Sequence, residues 1–204
     1  MDETFRILLA SVFAGIYISL GGCVYLAQPI IGAILFAFGL ICIVKQNLKL
    51  FTGIAGFMNF ELLDISKLFC VLSGNFIGTF CGACIGICMK PEFIQKACEI
   101  INIRMELPDI NIFMLAIGCG IIMSVAVYFA KRNSGIADWF PLLFGIPLFI
   151  YCGFIHCIAD SFYFFMALSQ DTFYTAYIPK LCTAVLGNFV GCNLYRVLLV
   201  KPDN

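Results

Sequence analysis

The sequence predicts an all-α polytopic membrane protein, and its composition is the first reason. Of the 204 residues, 62% are hydrophobic and 12% are charged, whereas soluble domains average about 45–50% and 25%. So little charge cannot cover that much apolar side chain in water, and the same composition excludes a disordered chain. Twelve basic and twelve acidic residues balance to zero net charge, so nucleic acid is not expected as a partner. The apolar composition instead predicts contact with the lipid bilayer.

Six apolar runs supply the second reason, because a helix needs about 20 mostly apolar residues to cross a bilayer. The acidic start of the chain differs from a basic signal peptide, so the first run is expected to remain as a helix. A charged connector over about 90–109 divides the chain. We expect one transmembrane domain over 1–204, with a first repeat at about 5–89 and a second at about 110–200. The six predicted spans are about 7–27, 29–57, 68–89, 110–130, 139–168 and 178–200.

The second and fifth spans are predicted to be broken helices. Apolar residues from Pro29 to about Val44 are followed by the polar segment 45–49 before apolar sequence resumes. The fifth run is too long for one straight span and contains prolines, Gly153 and ionisable residues. Irregular backbone survives in a membrane only where protein buries it or water reaches it.

An internal repeat connects the two halves of the chain. Residues 67–78 match residues 180–191 without a gap at Lys, Leu, Gly, Asn, Phe and Gly, and a fainter match links the first and fourth spans. Three spans per half would give the halves opposite orientations, so we predict two inverted three-helix repeats. In that plan, broken helices in matching positions mark the transport site.

Twelve cysteines fall mostly inside the apolar runs. They are interpreted as packing residues, since a free cysteine behaves as a small buried hydrophobe. With one histidine in the chain, no zinc-like ligand set is expected. We therefore expect no cofactor and no enzymatic activity. The number of unprotected thiols is typical of a reducing cell.

Four polar residues near the two breaks are candidates for function. His156 is the first, because ionisable groups within membrane spans are costly and tend to mark pathways. The Thr52 hydroxyl can bond His156 or a substrate. Lys49 either extends to the interface or gives positive potential to a vestibule. Asp160 either caps the resumed fifth helix, the interpretation we favour, or pairs with a lysine.

With these motifs assembled, the sequence resembles the formate/nitrite transporter family over nearly its whole length. The similarity rests on 50–53 after the broken second span and on 153–162 in the fifth, where Gly153, Phe154, His156 and Ala159 match the family pattern. The Gly-Asn-Phe-Ile/Val-Gly segments of the third and sixth spans are also similar.

The resemblance implies an aquaporin-like fold, a homopentamer with one pore per protomer, and passage of small monovalent anions such as formate, nitrite or hydrosulfide. His156 would be the central pore histidine and Thr52 its partner, while Leu50 and Phe51 would form a constriction. Four departures from the family pattern put the substrate in question. Lys49 and Ile155 stand where glutamate is usual, and Asp160 stands where asparagine is usual. Residues 135–138 also lack the lysine that many members carry shortly before the fifth span.

The candidate pore or substrate residues are therefore Lys49, Leu50, Phe51, Thr52, Phe154, His156 and Asp160. The favoured function is transport of a small anion that is coupled to protons through His156. The alternatives are an aquaporin-like pore for small neutral solutes, although no Asn-Pro-Ala signature occurs, and an embedded enzyme or assembly factor. A modest excess of Lys and Arg on one set of loops predicts cytoplasmic termini, and we expect the cytoplasmic membrane of a prokaryote.

Overall fold

A computed structural model describes residues 2–57, 61–132 and 134–199, with side chains described as far as Leu194. Within these ranges the chain is helical and contains no strand, so the all-α prediction is confirmed. Ten α-helices are present there: α1 (Glu3–Ala27), α2 (Pro29–Leu35), α3 (Ala37–Lys45), α4 (Phe51–Ile54), α5 (Leu62–Met89), α6 (Glu92–Glu106), α7 (Asp109–Arg132), α8 (Phe140–Tyr151), α9 (Cys157–Gln170) and α10 (Ile178–Leu199).

The long helices follow the predicted apolar runs. Among the described residues, α1, α5 and α7 are long and apolar enough to cross a membrane. Helix α10 covers most of the sixth run, whose predicted end at residue 200 lies outside the described residues.

Both predicted breaks are present. In the second span, α3 ends at Lys45, and the backbone turns at Asn47, whose φ is 54°. An extended segment then leads into α4. In the fifth span, α8 ends at Tyr151 and α9 begins at Cys157. Between them Gly153 has a φ of 69°, a left-handed conformation that glycine adopts without steric cost. An additional interruption at Phe36, whose backbone angles stay helical, separates α2 from α3.

The internal repeat appears as matched helix packing. A Cβ added to Gly78 of α5 would meet the carbonyl oxygen of Val12 in α1, and a Cβ added to Gly191 of α10 would meet the carbonyl oxygen of Ile117 in α7. Small residues at such sites let helix backbones approach closely in lipid. The α1–α5 pair and the α7–α10 pair are thus two copies of one packing arrangement. The opposite orientation of the two halves stays a prediction.

The charged connector contains a helix that was not predicted from the sequence. Helix α6 buries Phe93, Ala97 and Ile101, which are four residues apart and therefore share one face. The buried face packs against α9. On the same helix Lys96 Nζ donates a hydrogen bond to the carbonyl of Leu26 at 2.6 Å. The connector is therefore a packed structural element beside the break in the fifth span.

Candidate pore site

Asn75 fixes the break in the second span. Its Nδ2 donates hydrogen bonds to the carbonyls of Ser11 and Lys49, both at 2.8 Å, and its Oδ1 accepts one from the Phe51 N–H at 2.8 Å. A break in a helix leaves backbone polar groups without partners, and these must be satisfied inside a membrane. One buried amide side chain on α5 thus satisfies the backbone groups on either side of Leu50 and ties this segment to α1.

Asn188 performs the same task at the break in the fifth span. Its Nδ2 donates to the carbonyls of Ala116 and Ile155, and its Oδ1 accepts from the Cys157 N–H, all at 2.8 Å. The two asparagines are the matched residues of the repeat found in the sequence. The correspondence of their bonds places Leu50 and His156 at equivalent positions, each in the extended segment just before a helix resumes.

The two breaks meet at a contact between Thr52 and His156. Thr52 Oγ1 lies 2.9 Å from His156 Nε2. Both residues are buried, with 0% and 2% of their surface exposed. The ring of Phe149 stacks on the imidazole with centroids 6.0 Å apart. The structure therefore brings together the threonine and histidine that the sequence singled out.

His156 also caps α9, and this corrects the interpretation of Asp160. His156 Nδ1 accepts a hydrogen bond from the Ala159 N–H at 3.2 Å, which makes the histidine the N-cap residue. Asp160 lies one turn inside the helix, so the prediction that Asp160 is the cap is wrong. An acceptor Nδ1 carries no hydrogen, so a neutral imidazole in this arrangement has its proton on Nε2 and donates to Thr52 Oγ1.

Asp160 is held by two residues that the sequence analysis did not select. Its Oδ2 accepts a hydrogen bond from the Tyr177 hydroxyl at 2.6 Å and lies 3.6 Å from Arg104 Nε. The pairing partner is therefore an arginine of the connector and not a lysine. Arg104 follows the buried Ile101 by three residues, so a charge on the buried face of α6 was the available signal. Tyr177 carried no comparable signal.

A cavity of about 230 Å³, here called the connector-side cavity, reaches His156. Its lining contains a cation, an anion, aromatic rings and aliphatic side chains. Phe154 is among the aromatic residues, and it also lies against the backbone at Gly118. The lining residues most relevant to chemistry are Tyr25, Arg104, Phe149, Phe154, His156 and Asp160.

A smaller cavity of about 40 Å³, the lysine-side cavity, is lined by Lys49, Leu50 and Lys131 among others. Lys49 Nζ donates a hydrogen bond to Asn47 Oδ1 at 3.2 Å. Leu50 is 2% exposed. Lys131 lies near the end of α7, whereas the connector leads into its start, so the two cavities lie toward opposite ends of that helix. Lys49 was predicted either to extend to the membrane interface or to line a vestibule, and in the structure it lines a cavity.

Phe51 lies away from the two cavities beside the breaks. It is buried and lines neither of these two cavities. Its neighbours include Leu68 and Leu72 of α5 and Phe189 of α10, around a separate apolar cavity. Leu50 is thus the residue of the pair that faces the lysine-side cavity.

Broken apolar helices that meet at a buried histidine between two cavities define a membrane channel or transporter. A family model described as Formate/nitrite transporter matches residues 2–200, and the chain therefore belongs to the formate/nitrite transporter family. The family consists of membrane transport proteins and not of enzymes, so the predicted class of protein is confirmed.

Individual relatives agree with this assignment. The Formate-nitrite transporter of Plasmodium falciparum is 27% identical and is covered over 74% of its length by 91% of this chain. The Probable formate transporter of Methanothermobacter thermautotrophicus is 23% identical, over 87% of its length and 95% of this chain. A solved structure, a pentameric formate channel with formate bound, superposes with a TM-score of 0.83 at 20% identity over 94% of each chain. That likeness confirms the fold.

Proposed function

We propose that this protein carries small monovalent anions of weak acids, of the formate, nitrite or hydrosulfide class, and links their passage to protons through His156. The observation that carries the proposal is the 2.9 Å contact between Thr52 Oγ1 and His156 Nε2, which joins the two broken helices. One relative is a probable formate transporter and the structural neighbour is a formate channel, which supports formate as the first substrate to test.

The buried segment between the cavities explains why a proton is needed. Leu50 and Thr52 are 2% and 0% exposed, so a solute crosses a region with little water. Moving a bare anion into such a medium costs on the order of tens of kcal/mol. A weak acid avoids this cost by accepting a proton before the crossing and releasing it afterwards.

His156 and Thr52 form the proposed proton and hydrogen-bond donor. The imidazole donates from Nε2 to the threonine oxygen while Nδ1 accepts from the helix backbone. This leaves the Thr52 hydroxyl hydrogen directed to another acceptor, and an anion oxygen is the proposed one. In the proposed step, a proton from water binds Nδ1 while the Nε2 proton passes through the Thr52 hydroxyl to the anion, so the ring ends the step neutral. A proton on Nδ1 removes the cap of α9, so the resting ring is assigned as neutral with its proton on Nε2.

Lys49 is proposed to set the electrostatic potential in the lysine-side cavity, and Asp160 is proposed to do so in the connector-side cavity. Phe154 forms part of the wall beside His156. Lys49 lines the lysine-side cavity together with Lys131, and two cations there attract an anion. Leu50 then forms the apolar narrowing, with Phe51 packed behind it. We retain a single transmembrane domain over 1–204, both termini on the cytoplasmic side of a prokaryotic membrane, and a homopentamer like the structural neighbour.

Uptake of formate, nitrite and hydrosulfide by proteoliposomes, measured over a range of pH values, tests the function. We expect uptake that rises on acidification. The informative variant is His156→Asn, because asparagine is a good N-cap residue and keeps the helix end while removing the titratable group. We expect the variant to fold and to lose the pH dependence.

Two results would overturn parts of the proposal separately. Wild-type vesicles that take up none of the three anions would exclude the substrate class, and uptake of a neutral solute such as glycerol would then favour the aquaporin-like alternative. Normal uptake and normal pH dependence in His156→Asn would still support anion transport but would exclude His156 as the group that couples it to protons.

A further inference from the structure

Arg104 brings a fixed cation into the connector-side cavity. It lies on α6 outside the two repeats, yet its side chain is only 16% exposed and lines the same cavity as His156. Its Nη1 donates a hydrogen bond to the carbonyl of Gly153 at 2.9 Å, inside the break of the fifth span. The guanidinium is therefore fixed beside the segment that carries the histidine.

The pairing of Arg104 with Asp160 is incomplete. Nε lies 3.6 Å from Asp160 Oδ2, which is beyond hydrogen-bond distance, and this buried Nε has no hydrogen-bond partner. The same carboxylate oxygen already accepts the Tyr177 hydroxyl at 2.6 Å. The carboxylate thus attracts the guanidinium without accepting a hydrogen bond from its Nε.

A planar guanidinium presents its N–H groups as a fork that fits two oxygens of one anion. Formate and nitrite each carry two such oxygens on one central atom. Hydrosulfide offers one acceptor atom and cannot make two parallel bonds. An arginine whose Nε has no hydrogen-bond partner therefore distinguishes two members of the proposed substrate class from the third.

We propose that Arg104 is a specificity-determining residue that binds a two-oxygen anion in the connector-side cavity, in competition with the carboxylate of Asp160. The inference rests on the proposed function and assigns selectivity within it. Asp160 weakens the site enough for the anion to leave toward His156 or back to solvent, because it competes for the same guanidinium. Binding strong enough to enter and weak enough to leave is what conduction requires.

If Arg104 and Asp160 had only a structural role, a different result would be expected. If Arg104 only tethers the connector to α9, removing either member weakens the same tether and affects all solutes alike. If Arg104 binds the anion, changes at the two residues shift selectivity in opposite directions. The ratio of formate uptake to hydrosulfide uptake separates the two cases, since loss of folded protein cancels in a ratio.

The test measures initial uptake of both anions at low concentration in the same proteoliposome preparation, with the leak of protein-free vesicles subtracted. Arg104→Lys keeps the charge and removes the fork, so we expect the formate-to-hydrosulfide ratio to fall roughly tenfold. Asp160→Asn removes the competing charge and keeps an acceptor for the Tyr177 hydroxyl, so we expect the ratio to rise. The double variant Arg104→Gln/Asp160→Asn should show no rise, because the gain requires the arginine.

Lys180→Gln is the matched control. Lys180 makes an ion pair with Asp109 at 3.0 Å, which also ties the connector region to the helical core, but neither residue lines the cavity. We expect its ratio to equal that of the wild type. An unchanged ratio in Arg104→Lys, or shifts of the same sign in Arg104→Lys and Asp160→Asn, would overturn the inference while wild-type uptake still supports the proposed function. Absence of wild-type uptake would overturn both.

Discussion

Asn75 and Asn188 make the same three hydrogen bonds at the two helix breaks. Each donates twice to carbonyl oxygens and accepts once from a backbone N–H, and all six bonds measure 2.8 Å. Both side chains are fully buried. The breaks are thus fixed by side chains on the neighbouring long helices, and the geometry around the pore depends on two residues that never need to touch a solute.

Asn75→Asp and Asn188→Asp test this dependence. Aspartate keeps the acceptor and loses both donors, which leaves two buried carbonyls unpaired at a cost of about 1–3 kcal/mol each. We expect both variants to unfold at clearly lower temperature in detergent, by similar amounts. A thiol-reactive dye can follow the transition, because the chain contains twelve cysteines.

Asn111→Asp serves as the control for these variants. Asn111 is an exposed residue in the first turn of α7, so the same chemical change there should leave the midpoint near that of the wild type. Strong destabilisation at one break and none at the other would contradict the equivalence of the two halves.

The contact between Thr52 and His156 gives a second prediction. Thr52→Val preserves the shape of the side chain and removes the hydroxyl, which leaves the imidazole Nε2–H buried without an acceptor. We expect formate uptake to fall by about tenfold or more, since one buried hydrogen bond of about 1.4 kcal/mol corresponds to a factor of ten. Proteoliposome uptake at one acidic and one neutral pH measures the effect.

Thr52→Ser is the matched variant because serine keeps the hydroxyl. We expect it to retain most of the uptake and the pH dependence. If valine and serine behave alike, the hydroxyl has no part in transport, and the 2.9 Å contact only supports the packing of the two breaks.

The spans and the breaks could be predicted from sequence because each leaves a local signal. Apolar runs predict the spans, and polar residues and prolines within them predict the breaks. The repeat aligns Asn75 with Asn188, but it did not predict their hydrogen bonds to the breaks. The connector helix α6 was missed although its buried residues have helical spacing, because its charges dominated the interpretation.

The surroundings of Asp160 could not be predicted in the same way. Any of several residues near the start of α9 can cap it, and the choice depends on where the extended segment ends, which Asn188 decides from another helix. The partners Arg104 and Tyr177 come from distant parts of the sequence, and a single sequence contains no record of which side chains meet across a fold.

Close packing of the two helix pairs gives a third prediction. Gly78→Ala and Gly191→Ala would each place a Cβ against a backbone carbonyl of the facing helix, and backbone cannot move aside as a flexible side chain can. Overpacking of this kind costs about 1–3 kcal/mol or more. We expect lower yields of monodisperse protein and lower unfolding temperatures for both variants.

Gly135→Ala is the control for the two packing glycines, because a Cβ there meets nothing within 4 Å and its φ of −176° is ordinary extended backbone. We expect it to behave as the wild type. Equal stability of all three variants in the same thermal assay would exclude close approach as the reason for these glycines.

The lysine-side cavity gives the last prediction, which concerns charge. Lys49 lines this cavity beside Leu50 and Lys131, and under the proposed function we expect its ammonium to raise the local concentration of the anion before the narrow segment. Lys49→Gln should therefore lower formate uptake at low ionic strength. The deficit should shrink as salt is added, because salt at about 1 M screens charges beyond about 3 Å. Initial rates across a salt series measure both effects.

Lys67→Gln provides the same loss of charge away from this cavity. Lys67 lies beside residues of the N-terminal segment around a different cavity, and its neutralisation should leave the uptake rate unchanged at every salt concentration. A deficit in Lys49→Gln that persists undiminished at high salt would show that the lysine acts through structure, by its contact with Asn47, and not through the potential that it adds to the approach.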